Sequence, residues 1–236
     1  ASAVRQALDE TEGDILVFLP GQGEIRRTAD LLGPGTDGWM VYPLYGNLAQ
    51  AEQDAALRPD RSGRRKVLLS TAIAETSLTI EGVRVVIDAG FARVPKFSPG
   101  SGMTRLVTVR VSRTSAEQRR GRAGRTAPGV CYRLWAAAED HQLLQRATPE
   151  ILEAALTPLA LELAVRGVAE AAALAWLDPP PAAALAEARA LLRQLGAIDA
   201  AERVTPHGRR MAALGTDPRL AHLLIMGAEL GGGEAA

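Results

Sequence analysis

The sequence predicts an α/β protein in which a parallel sheet carries helices on both faces, followed by an α-rich segment. Up to about residue 135, short apolar runs alternate with stretches of helical periodicity. Strands and helices that alternate in this order are typical of a parallel sheet covered by helices. From about residue 148 alanine and leucine dominate, and helical patterns recur with little strand-like sequence between them.

Five apolar runs are expected to form the strands of the sheet. They occupy residues 15–19, 39–46, 67–71, 83–90 and 130–135, and helical patterns at 23–32 and 48–57 follow the first two. Because ligands of such sheets lie beyond the carboxyl ends of the strands, a functional site is expected at that edge.

Residues 91–112 interrupt the alternation. The turn sequence Pro-Gly-Ser-Gly lies between two extended stretches, and the second of these, TRLVTVRV, mixes basic or polar residues with apolar ones. We interpret this segment as a protruding antiparallel β-hairpin with one cationic face. The alternative is an ordinary edge hairpin whose lysine and arginine residues oppose aggregation.

The α-rich segment is expected to contain helices at residues 149–167, 182–196 and 218–231. Residues 197–208 between them read as two very short strands around a turn. Helices combined with a small hairpin indicate a winged-helix-like module. The last helical stretch has no later partner in the sequence, so we expect it to begin a further helical domain that is cut short.

Charge is strongly segregated in a chain whose formal net charge is zero. Residues 58–125 hold 15 Lys or Arg against 5 Asp or Glu, whereas the rest of the chain holds 12 against 22. This surplus favours a polyanionic partner such as nucleic acid or nucleotide phosphates, the alternative being a cationic face without a ligand.

Several classes of protein do not fit the composition. A single cysteine, Cys131, provides neither a disulfide framework nor a cysteine-rich zinc site, and the three histidines lack metal-ligand spacing. No apolar run approaches the roughly 20 residues that cross a bilayer, and residues 1–14 lack the order of a signal peptide. We therefore expect a cytoplasmic protein without a membrane partner.

Residues 118–125, QRRGRAGR, form what we call the arginine segment. With Ser115 as a possible N-cap, a short helix through residue 125 would place Gln118, Arg122 and Arg125 on one narrow face, where they could converge on an anion. Two glycines inside a helix cost about 1 kcal/mol each, which suggests a close approach of backbone at Gly121 and Gly124.

The chemistry of the arginine segment suits a phosphoryl group. Arginine donates two parallel hydrogen bonds to phosphate and keeps its charge at any working pH. However, the sequence contains no GxxxxGK[ST] loop and no acidic magnesium-binding box after a strand. A nucleotide facing these arginines would therefore need a phosphate cradle from elsewhere.

Four stretches in the expected order resemble a known family. Residues 66–90, KVLLSTAIAETSLTIEGVRVVIDAG, and 115–125, SAEQRRGRAGR, resemble the fifth and sixth motifs of the DEAH-box branch of superfamily-two helicases. DILVFLPGQGEI and PLYGNLAQAEQ resemble the two preceding motifs. The later stretches WLDPPP, LLRQLGAID and TPHGRRMAALGTDPRLAHLL resemble the winged-helix and helicase-associated regions of the family, so the resemblance covers nearly the whole chain.

The resemblance implies an architecture and an activity. Residues 1–147 would form the second RecA-like domain, 148–208 a winged-helix-like domain, and 209–236 the start of a ratchet-like helicase-associated domain. The first RecA-like domain, with its phosphate-cradling loop and DEAH box, would lie outside this chain. The chain would then be part of an ATP-dependent helicase that moves along single-stranded nucleic acid, RNA being favoured, and would lack ATPase activity alone. ATP would bind with Mg²⁺, whose ligands would lie mainly on the first domain.

Individual residues match the motifs of the family. Arg122 and Arg125 match its arginine fingers, and Gln118 matches the glutamine that orders water and phosphate. Thr79 and Glu81 would approach the nucleotide, although many members have Asp at the position of Glu81. The residues implied to contact nucleic acid are Thr71, Thr76, Arg105 and Arg110.

Other interpretations of the same residues stay open. Ala72 stands where many members have an Asn that would contact nucleic acid. The threonines could simply pack as β-branched residues. The arginines could clamp backbone phosphates without catalysis, which would make the chain a binding module for nucleic acid or a partner, or the whole could be a structural scaffold.

Overall fold

The computed structural model describes residues 1–76, 80–98, 100, 102–125 and 127–231. The chain divides into two compact units. The first unit comprises Ala1–Val94 and Leu106–Ala147, and the second comprises Pro95–Arg105 and the residues from Thr148 onward.

Strands and helices alternate in the first unit as the sequence predicts. In the described part of the chain the strands are β1 (Asp14–Phe18), β2 (Gly35–Thr36), β3 (Trp39–Leu44), β4 (Arg65–Ser70), β5 (Val83–Asp88), β6 (Phe91–Ser98), β7 (Met103–Arg110) and β8 (Val130–Arg133). The helices of this unit are α1 (Ser2–Glu10), α2 (Gln22–Leu32), α3 (Gln50–Leu57), α4 (Ile73–Thr76) and α5 (Arg113–Arg120).

The central sheet has the strand order β2-β3-β4-β1-β5-β8. All of its pairs are parallel except β2 with β3. Along β1, Ile15 and Val17 pack into one core with α1 and α2, whereas Leu16 and Phe18 pack into a second core with Ala56 of α3. Burial of alternate residues on both faces is typical of a parallel sheet between helix layers, which confirms the predicted fold class.

Helix α5 differs from the predicted helix at both ends. Ser112, not Ser115, is the N-cap, and its side chain accepts a hydrogen bond from the backbone N–H of Ser115 at 3.1 Å. The helix ends at Arg120, with Gly121 as its C-cap. Beyond it, Arg122 and Ala123 donate to carbonyls three residues earlier, so the chain tightens into turns and the predicted helix through residue 125 is wrong.

Strands β6 and β7 form the predicted hairpin as a separate two-stranded sheet. Only four residues join them, which requires an antiparallel pair. Side chains on a strand alternate between faces, and five positions separate Arg105 from Arg110 on β7, so these two arginines lie on opposite faces. The prediction of one cationic face is therefore wrong. Leu106 and Val107 are also exposed, so neither face of this strand is buried there.

The second unit is mainly helical. Its helices are α6 (Thr157–Val165), α7 (Ala182–Gln194), α8 (Pro206–Ala213) and α9 (Pro218–Glu229), and all four contribute buried side chains to one apolar core. The helix predicted at 149–167 begins only at Thr157, with Pro158 in its first turn, and a 3₁₀ turn at Glu150–Leu152 precedes it. Ile198 and Val204 form a single antiparallel bridge where two short strands were expected.

The helices of the second unit also bring two histidines together. His207 of α8 and His222 of α9 face each other, with 2.9 Å between Nε2 and Nδ1.

The predicted domain boundary between residues 208 and 209 stays a prediction. No helix within the described ranges has the length and apolar character needed to span a membrane.

Candidate functional site

The arginine segment lies at the carboxyl-terminal edge of the parallel sheet. Phe18, Ser70 and Asp88 end strands β1, β4 and β5, which are neighbours in the sheet. Helix α4 follows β4 after two residues, and α5 packs beside α4 and β5. This edge is where ligands of such sheets bind, and the sequence predicted a site here.

Arg119 is the buried anchor of the arginine segment, with only 1% of its side chain exposed. Its Nη1 donates to Asp88 Oδ1 at 2.8 Å, and its Nε donates to Glu75 Oε2 at 3.0 Å. The guanidinium carbon lies 4.9 Å from the centre of the Phe18 ring. Two carboxylates and an aromatic ring therefore compensate the cost of burying this cation.

The sequence analysis assigned no role to Arg119, although one signal could have found it. Asp88 closes an apolar strand and is fully buried, and a buried carboxylate requires a cation or several hydrogen bonds. An acidic residue at the end of such a strand therefore predicts a buried basic partner. The sequence does not say which of the four arginines at 119, 120, 122 and 125 supplies it.

Glu75 connects two arginines of the segment through different atoms. Its carboxylate accepts hydrogen bonds from Arg119 and, at 2.7 Å, from the Ser115 hydroxyl. Its backbone carbonyl accepts from Arg122 Nε at 2.9 Å and also from Arg122 Nη2. The carboxylate is thus committed to α5, and the neutral carbonyl holds the guanidinium of Arg122.

Arg122 is half-buried, whereas Gln118 and Arg125 are exposed. Burial, followed by the nearby positive charge of Arg125, lowers the pKa of the Arg122 guanidinium, which still stays charged. The two cations are close enough to repel each other, and an anion between them would relieve that repulsion. The helical spacing that was expected to align these side chains is absent beyond Arg120, so their convergence on one anion stays a prediction.

At the two glycines of the arginine segment, no other part of the described backbone comes closer than ordinary contact distance. Gly121 caps α5 at φ −60°, and an added Cβ would meet carbonyl oxygens only at 3.4 Å. Around Gly124, no described atom lies within 4 Å of such a Cβ. The close approach occurs instead at Gly129, where a Cβ would collide with the carbonyl oxygens of Ala123 and Arg84. The explanation offered for Gly121 and Gly124 is therefore wrong.

Thr71 lies just before α4, Thr76 is the last residue of α4, and Glu81 lies just before β5. Thr71 directly follows β4 and donates its N–H to Leu44 at 3.2 Å, and Thr76 ends α4 at an exposed position. Glu81 is exposed, and Thr79 lies outside the described residues. Their roles stay predictions.

The two arginines of the hairpin differ in their surroundings. Arg105 is exposed. Arg110 donates to Glu139 at 2.6 Å, and its guanidinium carbon lies 5.0 Å from the Phe91 ring centre and 5.8 Å from that of Trp135. Arg110 thus already has a carboxylate and two aromatic partners.

The residues of the site can be compared with the two groups that the resemblance implies, ATP and magnesium. The cationic pair Arg122 and Arg125 suits a phosphate group. Among the described residues, no group of three or more His, Cys, Asp or Glu side chains could hold a metal ion. Because magnesium commonly takes only one or two carboxylates together with phosphate oxygens and water, the location of its ligands mainly on the first domain stays a prediction.

Comparison with known proteins finds matches for two parts of the chain and relatives that match nearly all of it. The family model for the helicase conserved C-terminal domain matches residues 1–127, and the model for the winged-helix part of the helicase-associated domain HA2 matches residues 188–215. The chain is 45% identical over 227 residues to the ATP-dependent RNA helicase HrpB of Escherichia coli strain K12, covering 95% of this chain and 28% of that protein.

Two further similarities extend the comparison. The chain is 40% identical over 221 residues to the probable ATP-dependent RNA helicase DHX34 of Homo sapiens, covering 92% of this chain and 19% of that protein. A crystal structure of the Escherichia coli DEAH/RHA helicase HrpB matches with a TM-score of 0.88 at 45% identity, covering 95% of this chain and 29% of the other. The chain thus spans less than a third of the length of these relatives.

Proposed function

The chain belongs to the helicase conserved C-terminal domain family, and we propose that it supplies the arginine side of the ATP site in a longer RNA helicase. The phosphate cradle, the DEAH box and the magnesium ligands would lie on a preceding RecA-like domain. The names of the relatives, which are ATP-dependent RNA helicases, support this proposal. A cytoplasmic location stays a prediction.

One observation carries the proposal: Arg122 is half-buried and held by the Glu75 carbonyl at the ligand-binding edge of the sheet. Hydrolysis breaks a bond in the phosphate chain of the bound ATP, and negative charge develops at that bond during the reaction. An arginine fixed in advance stabilises the negative charge that develops there without a reorganisation cost. Arg125 would add a second positive charge, and Gln118 would orient water or a phosphate oxygen.

Thr79 and Glu81 would complete the surroundings of the nucleotide. Because Glu81 is one methylene longer than the aspartate of many members, we expect it to alter how water is positioned beside the nucleotide. Neither residue is assigned a proton-transfer step.

Single-stranded RNA is the proposed polymer. Thr71 and Thr76 flank α4 with short hydroxyl side chains that suit phosphate oxygens, and Arg105 presents an exposed cation on the hairpin. Arg110 would contribute less, because Glu139 already offsets its charge. Contacts of this kind are directed at the backbone, so little sequence preference is expected.

The test uses the full-length protein with Arg122→Ala and Arg125→Ala, and with Arg120→Ala as the matched control. Arg120 is exposed and pairs with Glu117, so its loss should leave turnover unchanged. We expect each finger variant to lower ATP turnover by about 10³-fold or more while the affinity for single-stranded RNA changes by less than about threefold. Lost RNA affinity with unchanged turnover would instead identify a phosphate clamp without catalysis.

A second test uses residues 1–236 alone. Because the proposal places the phosphate cradle on another domain, we expect no ATP turnover above background from this chain. Turnover that persists through further purification and disappears in Arg122→Ala would contradict the proposal.

A further inference from the structure

We propose that His207 and His222 form a binding site for a divalent late transition-metal ion, such as Ni²⁺ or Cu²⁺, in the second unit. The two histidines are 15 positions apart in the sequence, so only the packing of α8 against α9 brings them together. This inference does not rest on the proposed function, because it concerns residues of the second unit alone.

The first step is the distance between the two facing ring nitrogens. Nε2 of His207 and Nδ1 of His222 lie 2.9 Å apart, and the planes of the two rings meet at 89°. A metal ion about 2.0–2.1 Å from each nitrogen would bind them at an angle of roughly 90°. This angle suits neighbouring positions on a square-planar or octahedral ion such as Cu²⁺ or Ni²⁺, whereas tetrahedral Zn²⁺ would require the nitrogens to separate to about 3.3 Å.

The second step is the position of the hydrogen atoms on the two rings. A neutral imidazole has one nitrogen that carries a hydrogen and one that offers a lone pair. Without a metal ion, one of the two facing nitrogens donates to the other. With a metal ion, that hydrogen would move to the other nitrogen of the same ring, so that both facing lone pairs reach the ion and no net proton is released.

The third step is the fixed position of both histidines. Gly208, next to His207, is buried so close to Ala197 that an added Cβ would collide with the carbonyl oxygen of Ala197. On α9, Ala221 is fully buried beside His222. Because the two rings are held in place before an ion arrives, binding would cost little conformational entropy.

The fourth step is the access and the charge of the site. Both histidines are half-buried, so water can reach an ion between them. Arg210 and Glu229 are the charged residues that act on His207, and they form an ion pair with each other, which offsets the positive charge beside the site. The described residues offer no third His, Cys, Asp or Glu ligand here, so water or an added chelator would fill the remaining positions.

The experiment uses the chain of residues 1–236, which contains three histidines. The variants are His207→Gln and His222→Gln, and His141→Gln is the matched control, because His141 is exposed and belongs to the first unit. The first probe is Ni²⁺ held by nitrilotriacetate, which leaves two neighbouring positions of the ion open and therefore selects paired ligands. Calorimetry measures its affinity, and circular dichroism checks folding.

The second probe is Cu²⁺ held by iminodiacetate, and pulsed electron paramagnetic resonance counts the imidazoles that coordinate it. We expect two imidazoles in the wild-type chain and in His141→Gln, and one in each of the other two variants. Because this count is made on the wild-type chain itself, it decides the question even if a variant does not fold.

We expect His207→Gln and His222→Gln to weaken the binding of Ni²⁺–nitrilotriacetate by about tenfold or more. Losing a ligand should cost at least as much as losing a residue that only hydrogen-bonds to a ligand, which is roughly 10–100-fold in metal affinity. His141→Gln should bind as the wild-type chain does. Added Mg²⁺ should not compete, because it prefers oxygen ligands.

An ion bound to both rings would also join α8 to α9. At a free probe concentration of about 100 times its Kd, the hydrogen-exchange protection of the amides of these helices should rise by up to about 100-fold.

Equal Ni²⁺ affinity in all four proteins would overturn the inference. A single coordinated imidazole in the wild-type chain would also overturn it, since the two histidines would then form only a hydrogen bond. Loss of binding in His141→Gln would have the same meaning, because the ion would then bind in the first unit.

Discussion

Arg119 and Asp88 form an ion pair that solvent does not reach, with 2.8 Å between Nη1 and Oδ1 and each side chain about 1% exposed. The neighbouring Arg120 is exposed and pairs with Glu117 on the surface of the same helix. One of these adjacent arginines is thus a partner in a buried ion pair and the other is a surface residue. Their substitutions should therefore lower the free energy of unfolding by very different amounts.

Replacing Arg119 with Met should destabilise the first unit by about 3–5 kcal/mol, because it leaves the buried Asp88 carboxylate without its cation. Arg120→Met should cost less than about 1 kcal/mol. Urea unfolding in a Trp176→Phe background measures this, since the remaining tryptophans, Trp39 and Trp135, lie in the first unit. Equal losses for the two arginines would contradict the burial of the Arg119 pair.

Gly129 and Gly124 offer a second matched pair. An alanine at Gly129 would place its Cβ 2.5 Å from the Arg84 carbonyl oxygen and still closer to that of Ala123. We expect Gly129→Ala to cost about 1–3 kcal/mol in the same unfolding assay, because the backbone must shift to make room. Gly124→Ala should change stability by less than about 1 kcal/mol. A larger loss of stability for Gly124→Ala than for Gly129→Ala would contradict the packing described for Gly129.

The histidine pair of the second unit predicts a pH dependence. Burial, followed by the charges of His222 and Arg210, lowers the pKa of His207 below its ordinary value near 6.5, while Glu229 opposes this shift. The unfolded chain therefore binds more protons than the folded one in this window, and stability falls as the pH drops below about 6.5. Protection factors for the amides of α8 and α9 should be lower at pH 5.5 than at pH 7.

His207→Gln should remove most of that pH dependence, and the exposed His141→Gln should leave it intact. Hydrogen exchange corrected for intrinsic rates measures both. If the wild-type protein and His207→Gln lose protection equally on acidification, other groups carry the effect.

The hairpin arginines should differ in their contribution to RNA binding. Each phosphate contact of a single strand contributes about 0.7 to the slope of log K against log salt. Arg105→Ala in the full-length protein should lower the slope by about that amount, and Arg110→Ala by less, because Glu139 already pairs with Arg110. Binding to labelled poly(U) over a series of salt concentrations tests this, and a larger effect of Arg110→Ala would reverse our interpretation of the hairpin.

The sequence predicted the parallel sheet well because both of its faces are buried. That requirement produces uninterrupted apolar runs such as residues 15–19 and 85–87, which are typical of a strand buried on both faces. The hairpin was predicted from its turn sequence and its alternating second strand, and a functional site at the carboxyl-terminal edge was expected from the parallel sheet. The resemblance of four motifs placed the candidate residues before any geometry was known.

The details of the arginine segment were not predictable by the same means. The partners of Arg119 lie 44 and 31 positions away, at Glu75 and Asp88, so no local pattern separates it from Arg120. Helical periodicity also suggested that α5 continues through residue 125, whereas the glycine after Arg120 and the tight turns beyond it end the helix. Long-range ion pairs thus decided the burial of Arg119, and local turns decided where α5 ends.

The most direct test of the central claim is the rate of ATP hydrolysis in a single turnover of the full-length Arg122→Ala protein, with enzyme in excess over ATP and saturating poly(U). The account predicts that the hydrolysis rate falls by about 10³-fold or more while the Kd for ATP changes by less than about tenfold, because this arginine acts mainly on the charge that develops during the reaction. A single-turnover rate within about threefold of wild type would contradict it.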